Sequence, residues 1–224
     1  MAPAREEPLM RRTIGLCFLT ATLLASSARA QSIFIDRGDP SAVDVLVGGG
    51  LIKDAWGAGL TGGYSYRGVF DVGVDFTRYA YTAGVKNKLA GYSVMPFTTW
   101  HAIRSDADEM PFSLSFTLGV QRIMYTGSNL PAAPEGWGLV VGPSAYRKIE
   151  LGTNWVFLPE LFAAYEFQYT RYYSGGYSTE QKHGARVLLK PNLLYKAGKT
   201  SYVIVPYVGY QGALAVGGNL GAVF

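Results

Sequence analysis

The feature that most constrains this sequence is a strict alternation of residue types between Pro111 and Tyr125, PFSLSFTLGVQRIMY. Successive side chains of a β-strand point to opposite sides, so a period of two assigns one set of residues to each face. One face holds Phe112, Leu114, Phe116, Leu118 and Val120, and the other holds Ser113, Ser115, Thr117, Gly119 and Gln121. The alternation predicts a long strand with one wholly apolar face.

The same alternation recurs at 69–80, at 160–170 and more weakly at 185–195, and it predicts an all-β fold. Abundant glycine and tyrosine, 28 and 16 residues, with only 16% charged residues, also favour many strands. Turn residues divide the chain into ten strands, with eight as the alternative. The predicted strands are 42–51, 57–66, 68–80, 91–104, 112–125, 138–148, 156–172, 185–196, 200–210 and 213–224.

Residues 1–30 have the three parts of a secretory signal peptide. Arg11 and Arg12 form a positive start, 14–25 is an apolar run, and 28–30 reads Ala-Arg-Ala, a small-x-small cleavage site. The apolar run is too short for a spanning helix, which needs about 20 residues. We therefore predict a cleaved signal over 1–30 and a single mature domain over 31–224.

The predicted mature chain has no cysteine, because Cys17 is the only one in the sequence. An exported chain without cysteine is held by its own fold and not by disulfides. Removing four of 20 basic and two of 16 acidic residues with the signal leaves 16 and 14, a net charge of +2. This small charge predicts no nucleic-acid partner. Translation from Met1 or from Met10 gives the same mature chain.

A strand with one apolar face also fits a water-soluble β-sandwich, whose outer face carries many charges. Here the face opposite the apolar one is largely Gly, Ser, Thr and Ala, which is typical of the crowded interior of a narrow barrel. The segments 69–80 and 112–125 reach the roughly 9–11 residues that a tilted membrane strand needs. Lipid offers no hydrogen bonds, so such strands close into a ring. We predict a single closed antiparallel up-and-down transmembrane β-barrel.

The connections between strands alternate in length, as they do in an outer-membrane barrel with both termini at the short-turn end. Long connections follow the third, fifth and seventh strands and predict exposed loops at 81–90, 126–137 and 173–184. Aromatic residues near the strand ends favour girdles at the two membrane surfaces. The predicted girdle residues are Tyr79, Tyr81, Tyr92, Trp100, Tyr125, Trp137, Tyr146, Trp155, Tyr172 and Tyr173.

The last strand, ALAVGGNLGAVF, resembles the C-terminal targeting strand of bacterial outer-membrane proteins. Leu220, Ala222 and Phe224 lie on one face, and Asn219 takes the place of the usual glycine. The resemblance implies recognition of this strand by the barrel assembly machinery, after passage through the periplasm with chaperones.

The run from Gly57 to Tyr81, GAGLTGGYSYRGVFDVGVDFTRYAY, resembles an early hairpin of the small OmpA-like and porin-like outer-membrane barrel families. These families share a Gly-Gly-Tyr strand, a tight turn and a strictly alternating strand. The resemblance implies a monomeric barrel of eight or ten strands, in contact with outer-membrane lipid in the envelope of a Gram-negative bacterium. It implies no single activity.

Two glycine-rich runs have a structural interpretation. The run 57–62 matches G-x-G-x-x-G, but a dinucleotide-binding fingerprint opens a helix, and here another strand follows. We interpret this run, and the run 48–50, as places where strands approach closely or bend.

Charged residues on the inward face form the candidate site. Asp71 and Asp75 are about 13 Å apart along a strand and Glu160 and Glu166 about 20 Å, too far for hydrolysis by a carboxylate pair, which needs about 5–9.5 Å. Buried charges require partners, so we predict a charge network that fills the lumen, and no large water-filled pore. Its members are Asp71, Asp75, Glu160, Glu166, Arg186 and Lys190, with Arg67 as a further candidate.

Catalysis would need a histidine, and the candidates are His101 in the fourth strand and His183 in the predicted loop 173–184. Some outer-membrane barrels are lipid A deacylases with a His-x-Ser motif, or proteases with Asp and His at the rim. Neither histidine here has a serine two residues on, and the nearest stretch, 172–174, has tyrosine in place of histidine. We assign no catalytic, metal or cofactor residues.

The sequence therefore favours a non-enzymatic barrel with a role in envelope integrity or surface interaction. The alternative is a small pore or a lipid A-modifying enzyme.

Overall fold

In a computed structural model, the described part of the chain forms a closed antiparallel β-barrel of ten long strands, which confirms the predicted fold. The structure describes residues 34, 41–53, 55–81, 90–105, 110–126, 135–173 and 177–224. The strands are β1 (Ala42–Ile52), β2 (Ala55–Tyr66), β3 (Phe70–Tyr81), β4 (Ala90–Ile103), β5 (Ser113–Thr126), β6 (Glu135–Tyr146), β7 (Ile149–Glu150), β8 (Trp155–Tyr173), β9 (Tyr177–Ala197), β10 (Thr200–Gln211) and β11 (Leu214–Val223). β7 is a two-residue strand in the β6–β8 connection. Within these ranges no helix is long and apolar enough to cross a membrane.

The barrel closes where β11 pairs with β1, in a register that runs from Asp44 opposite Val223 to Ile52 opposite Ala215. Every long strand thereby has two neighbours, as a wall surrounded by lipid requires. Glycines on the two closing strands leave room for an inward tyrosine, because a Cβ at Gly50 or at Gly217 would overlap the phenol of Tyr207 inside the barrel. The predicted signal at 1–30 lies outside the described residues.

The alternating residues of β5 place apolar side chains on the outside of the barrel and small polar side chains in its packed interior, as the sequence predicts. Phe116, Leu118 and Val120 face outward and are 42–48% exposed, whereas Ser115 and Thr117 face inward and are at most 3% exposed. The same division holds around the wall, where Val, Leu, Phe, Trp and Tyr side chains dominate the exposed set. An apolar exterior on a ring without edges is suited to a bilayer and unsuited to water.

The predicted loop at 173–184 is wrong over most of its length, because β9 begins at Tyr177. The β8–β9 ladder continues up to Tyr173 opposite Tyr177, and His183 lies on β9 opposite Phe167. This part of β9 is polar, so hydrophobic alternation ends before the backbone pairing does. β6 likewise begins at Glu135, within the predicted loop 126–137. Residues 127–134 of that loop and residues 82–89 of the predicted loop 81–90 lie outside the described residues.

Three tyrosines predicted for the membrane girdles lie inside the barrel instead. Tyr79, Tyr125 and Tyr146 are at most 3% exposed, and the rings of Tyr79 and Tyr125 meet edge to face at 5.8 Å between centroids. Tyr79 shares its parity with Asp71 and Asp75, so the period of two directs it inward. The predicted girdle residues Trp100, Trp137 and Trp155 are on the outer wall.

Candidate functional site: the barrel interior

The six charged residues predicted for the lumen all have buried side chains inside the barrel. They are Asp71 and Asp75 on β3, Glu160 and Glu166 on β8, and Arg186 and Lys190 on β9. Arg67 is exposed in the β2–β3 turn, where its φ is +51°, so it does not belong to this group. The period of two thus places each of the six residues on the inward face. Arg67 is excluded from the charge network because it lies in a turn.

Glu160 and Lys190 form a buried ion pair across β8 and β9. The two residues are directly opposite in register, and Lys190 Nζ donates to Glu160 Oε1 at 3.1 Å. The other carboxylate oxygen accepts a hydrogen bond from Asn192 Nδ2 at 3.3 Å. The ammonium group also lies 5.0 Å from the centroid of the Phe162 ring. Both oxygens of the buried carboxylate therefore have donors, which offsets part of its desolvation cost.

A second ion pair joins Glu166 and Arg186, with the guanidinium Nη2 against carboxylate Oε1. Arg186 stands directly opposite Ala164, so this contact runs diagonally between the strands. On β3, Asp75 accepts a hydrogen bond from the hydroxyl of Thr61, its register partner on β2. Inward charges on both sides of the lumen are therefore held by neighbouring side chains.

Asp71 contacts His101, which the sequence identified only as a candidate for catalysis. His101 Nε2 is 3.1 Å from Asp71 Oδ2, and His101 Nδ1 is 2.8 Å from the hydroxyl of Tyr146. The guanidinium of Arg104 lies 5.9 Å from the Tyr146 ring centroid and donates to the carbonyl of Gly68 at 3.2 Å. All three members of the Asp71, His101 and Tyr146 group are buried.

This group does not have the arrangement of a hydrolase triad, although Ser115 stands opposite His101 in the register of β4 and β5. Both ring nitrogens of His101 are already in contact with Asp71 and Tyr146. The hydroxyl of Ser115 instead lies 2.8 Å from that of Ser144. A serine nucleophile needs a hydrogen bond to its base, and no ring nitrogen remains for one.

Apolar side chains fill the levels between the polar groups. One cluster, at the end of the barrel where β1 begins and β11 ends, comprises Phe34, Ala42, Leu46, Tyr146, Val156, Leu158, Leu194, Val203, Val205 and Val223. A second cluster, further along the axis, comprises Met95, Val140, Phe162, Ala164, Leu188 and Tyr207. The interior thus alternates between ionic and apolar levels, as expected for a barrel narrow enough to be filled by its own side chains.

Asp44 and Arg104 are inward polar residues that the sequence did not reveal, and Tyr146, predicted for a girdle, is a third inward polar residue. Parity could have found Asp44, because it lies between Val43 and Val45, which are exposed on the outer wall. Over the described ranges, no group of three His, Cys, Asp or Glu side chains is arranged to hold a metal ion.

Two residues of the predicted assembly signal lie on the outer face of β11, and the third, Phe224, directly follows its last residue. Leu220 and Phe224 are among the most exposed apolar side chains, and Ala222 shares their face. The backbone of Phe224 forms a reciprocal pair of hydrogen bonds with Val43, at 2.8 and 3.1 Å, so the closing ladder extends to this residue.

An apolar outer wall, a closed ring of ten strands and an ion-paired interior define an integral outer-membrane β-barrel, and this architecture places the chain in the outer membrane. The fold is similar to the translocator domain of the autotransporter NalP from Neisseria meningitidis, with a TM-score of 0.56 and 12% identity over 96% of this chain and 97% of that one.

Two other similar structures come from Escherichia coli. The transport unit of the autotransporter AIDA-I has a TM-score of 0.43 and 13% identity, over 92% of this chain and 96% of that one. The outer membrane protease OmpT has a TM-score of 0.41 and 8% identity, over 84% and 97%. No family model matches the sequence, and no curated protein matches it.

Proposed function

We propose that this barrel is a non-enzymatic and non-conducting protein of the OmpA-like or porin-like kind, which supports the cell envelope or presents its surface to partners. The observation that carries the proposal is the filled interior, in which two buried ion pairs and two apolar clusters alternate along the barrel axis. In this proposal 1–30 is a cleaved signal peptide and 31–224 is a monomeric barrel domain.

A conducting pore would require a continuous column of water. The side chains of Glu160 and Lys190 are at most 1% exposed, and an apolar cluster lies between them and the end of the barrel where β1 begins. Charges that line an aqueous channel keep much of their hydration, whereas these obtain their hydrogen bonds from protein groups. The lumen is therefore suited to holding the wall in shape and poorly suited to passing ions.

Recordings from the purified chain in planar bilayers test this proposal. We expect no large, steady conductance, because the ion pairs and apolar clusters fill the lumen. A porin reconstituted in the same bilayers serves as the positive control for detection. A large, steady single-channel conductance would favour the small pore and would overturn the proposal.

The enzyme alternative is tested by the mass of lipid A extracted from cells that produce the barrel. We expect no change in this mass relative to cells without the barrel. A new lipid A species that disappears in His183→Ala or Glu166→Gln, with the folded barrel retained, would show a lipid-modifying enzyme.

We also propose that the barrel assembly machinery recognises β11 through Phe224, after periplasmic chaperones have delivered the chain. Phe224→Ala should lower the folded fraction in the outer membrane, because the exposed ring would be lost as a recognition element. The measurement is the fraction with heat-modifiable mobility in gels. The matched control is Leu214→Ala, which removes an exposed side chain from the same face of the same strand.

The assembly effect must be separated from an effect on stability. Purified Phe224→Ala should refold into detergent micelles as completely as the unaltered chain. Equal losses in cells and in micelles would mean that Phe224 stabilises the barrel and is not a recognition element.

A further inference from the structure

Two rows of outward side chains cross β5, β6 and β8 near the end of the barrel opposite the start of β1 and the end of β11. In the first row Arg122 stands opposite Trp137, which stands opposite Tyr169. In the second row Glu135 stands opposite Arg171. These five side chains line a depression of about 220 Å³ on the outer wall.

The depression is built around a guanidinium group held in place by its neighbours. Arg122 stacks over Trp137, with Cζ 4.7 Å from the ring centroid, and its Nη2 pairs with Glu135. The side chains of Arg122 and Glu135 remain 30% and 46% exposed. Stacking fixes the plane of a guanidinium while leaving further N–H donors at its edge. With Arg171, the group has two positive charges against one negative charge.

The depression lies at the level of the lipid headgroups, as the residues around it indicate. On the same face of β5 and β6, the next residues toward the end of the barrel where β1 begins are Val120, Leu139 and Val141, all exposed and apolar. The two arginines therefore begin where the apolar wall ends, at the level where headgroups lie. Aromatic and basic residues concentrate at this level in membrane proteins. In barrels of this architecture the end opposite the termini faces outward, so the headgroups belong to the outer leaflet.

We propose that this depression binds the phosphate-bearing headgroup of an anionic lipid in the outer leaflet. Arginine matches phosphate oxygens with two parallel N–H donors, and the rings of Trp137 and Tyr169 suit the boundary between headgroup and acyl chain. A depression of about 220 Å³ accommodates a phosphate group but not a whole lipid. The acyl chains would follow the apolar wall below. The proposal rests on the outer-membrane location and not on the proposed envelope role.

Glu135 allows the proposal to predict the direction in which each substitution changes the lipid affinity. Its carboxylate occupies Arg122 and repels an incoming phosphate, so it should weaken the binding that the arginines provide. Removing a positive charge and removing this negative charge should therefore change the affinity in opposite directions. A purely structural role of the cluster would not produce this pattern.

The test uses the purified full chain in uncharged detergent and native mass spectrometry, which counts bound lipid. The probes are diphosphoryl lipid A, the same lipid without phosphates, and sodium phosphate. We expect lipid A binding that Arg171→Gln weakens about tenfold, the loss expected for one charge-assisted hydrogen bond. Glu135→Gln should strengthen it, and Arg78→Gln should leave it unchanged. Arg78 is the matched control, an exposed arginine on β3 that stacks 5.9 Å from Tyr92.

Three results would overturn the proposal. Equal binding of the lipid without phosphates would show that the acyl chains alone are recognised. Displacement of lipid A by equimolar sodium phosphate would indicate a site for the free anion. An equal loss in Arg171→Gln and Arg78→Gln would show that the whole basic surface acts through its charge and that no site exists. Retained heat-modifiable mobility in each variant verifies that the barrel is folded.

Discussion

Replacing Lys190 with methionine is expected to lower the free energy of unfolding by about 3–5 kcal/mol, because it leaves a buried carboxylate without its cation. Glu160 would keep the amide of Asn192 as a hydrogen-bond donor and lose the ammonium group 3.1 Å from its other oxygen. Methionine retains most of the volume beside Phe162, so the loss reports on charge more than on packing.

Equilibrium unfolding in guanidinium from lipid vesicles, followed by tryptophan fluorescence, measures this change. Glu135→Gln is the matched control, because it breaks an ion pair whose partners are 30% and 46% exposed. A pair this exposed contributes at most about 1 kcal/mol. A loss below this value in Lys190→Met would mean that water reaches Glu160.

The double variant Glu160→Gln with Lys190→Met distinguishes the effect of an unpaired charge from the effect of altered packing at this position. A neutral glutamine can still accept from Asn192 and carries no charge to desolvate, so most of the lost stability should return. Buried ion pairs are often replaced by neutral groups at little cost, whereas breaking one is expensive. If the double variant is as unstable as the single one, packing and not charge explains the loss.

This measurement also bears on function. A hydrated Glu160 would imply water in the lumen at the level of β8 and β9, and the non-conducting role would lose its main support. The stability of one ion pair and the conductance of the barrel are therefore linked predictions. Agreement between them would be stronger than either result alone.

The sequence predicted the faces of the strands well because one rule, the period of two, applies along the whole wall. The inward placement of all six lumen charges follows from this rule. The same rule also places Asp44 and Tyr79 inside the barrel, although Asp44 is not among the predicted lumen residues and Tyr79 is predicted for a girdle. Tyr79 was assigned to a girdle from its nearness to a strand end. Tyr79 lies four residues from Asp75 and therefore on the same inward face of the strand. A side chain contacts lipid only if it is on the outer face, whatever its distance from the strand end.

The pairing of charges could not be predicted, because it depends on register between strands that the alternation does not fix. Glu160 and Glu166 were both possible partners of Lys190, and only the β8–β9 register sets Glu160 opposite it. The start of β9 was missed for a related reason. Beyond the bilayer the outer face need not be apolar, so residues 177–184 continue the ladder without a hydrophobic signal. The cluster of Arg122 and Trp137 likewise becomes visible only when β5 and β6 are aligned.

Replacing Leu118 with arginine tests the lipid-facing assignment on the strand where the alternation is strictest. Leu118 is 46% exposed near the middle of β5. We expect the free energy of unfolding from lipid vesicles to fall by about 2–4 kcal/mol, the cost of a cation on a lipid-facing wall near the bilayer midplane.

The matched control is Met124→Arg, on the same face of the same strand but closer to its end. There the side chain can reach the headgroups, and the cost should fall to about 0–1 kcal/mol. The difference between the two variants therefore measures depth in the membrane. On a barrel whose outer wall faced water, both substitutions would be surface changes of within about 0.5 kcal/mol. Equal and small effects at Leu118 and Met124 would contradict a membrane-spanning wall, whereas a gradient from one to the other is a property that only a bilayer can impose.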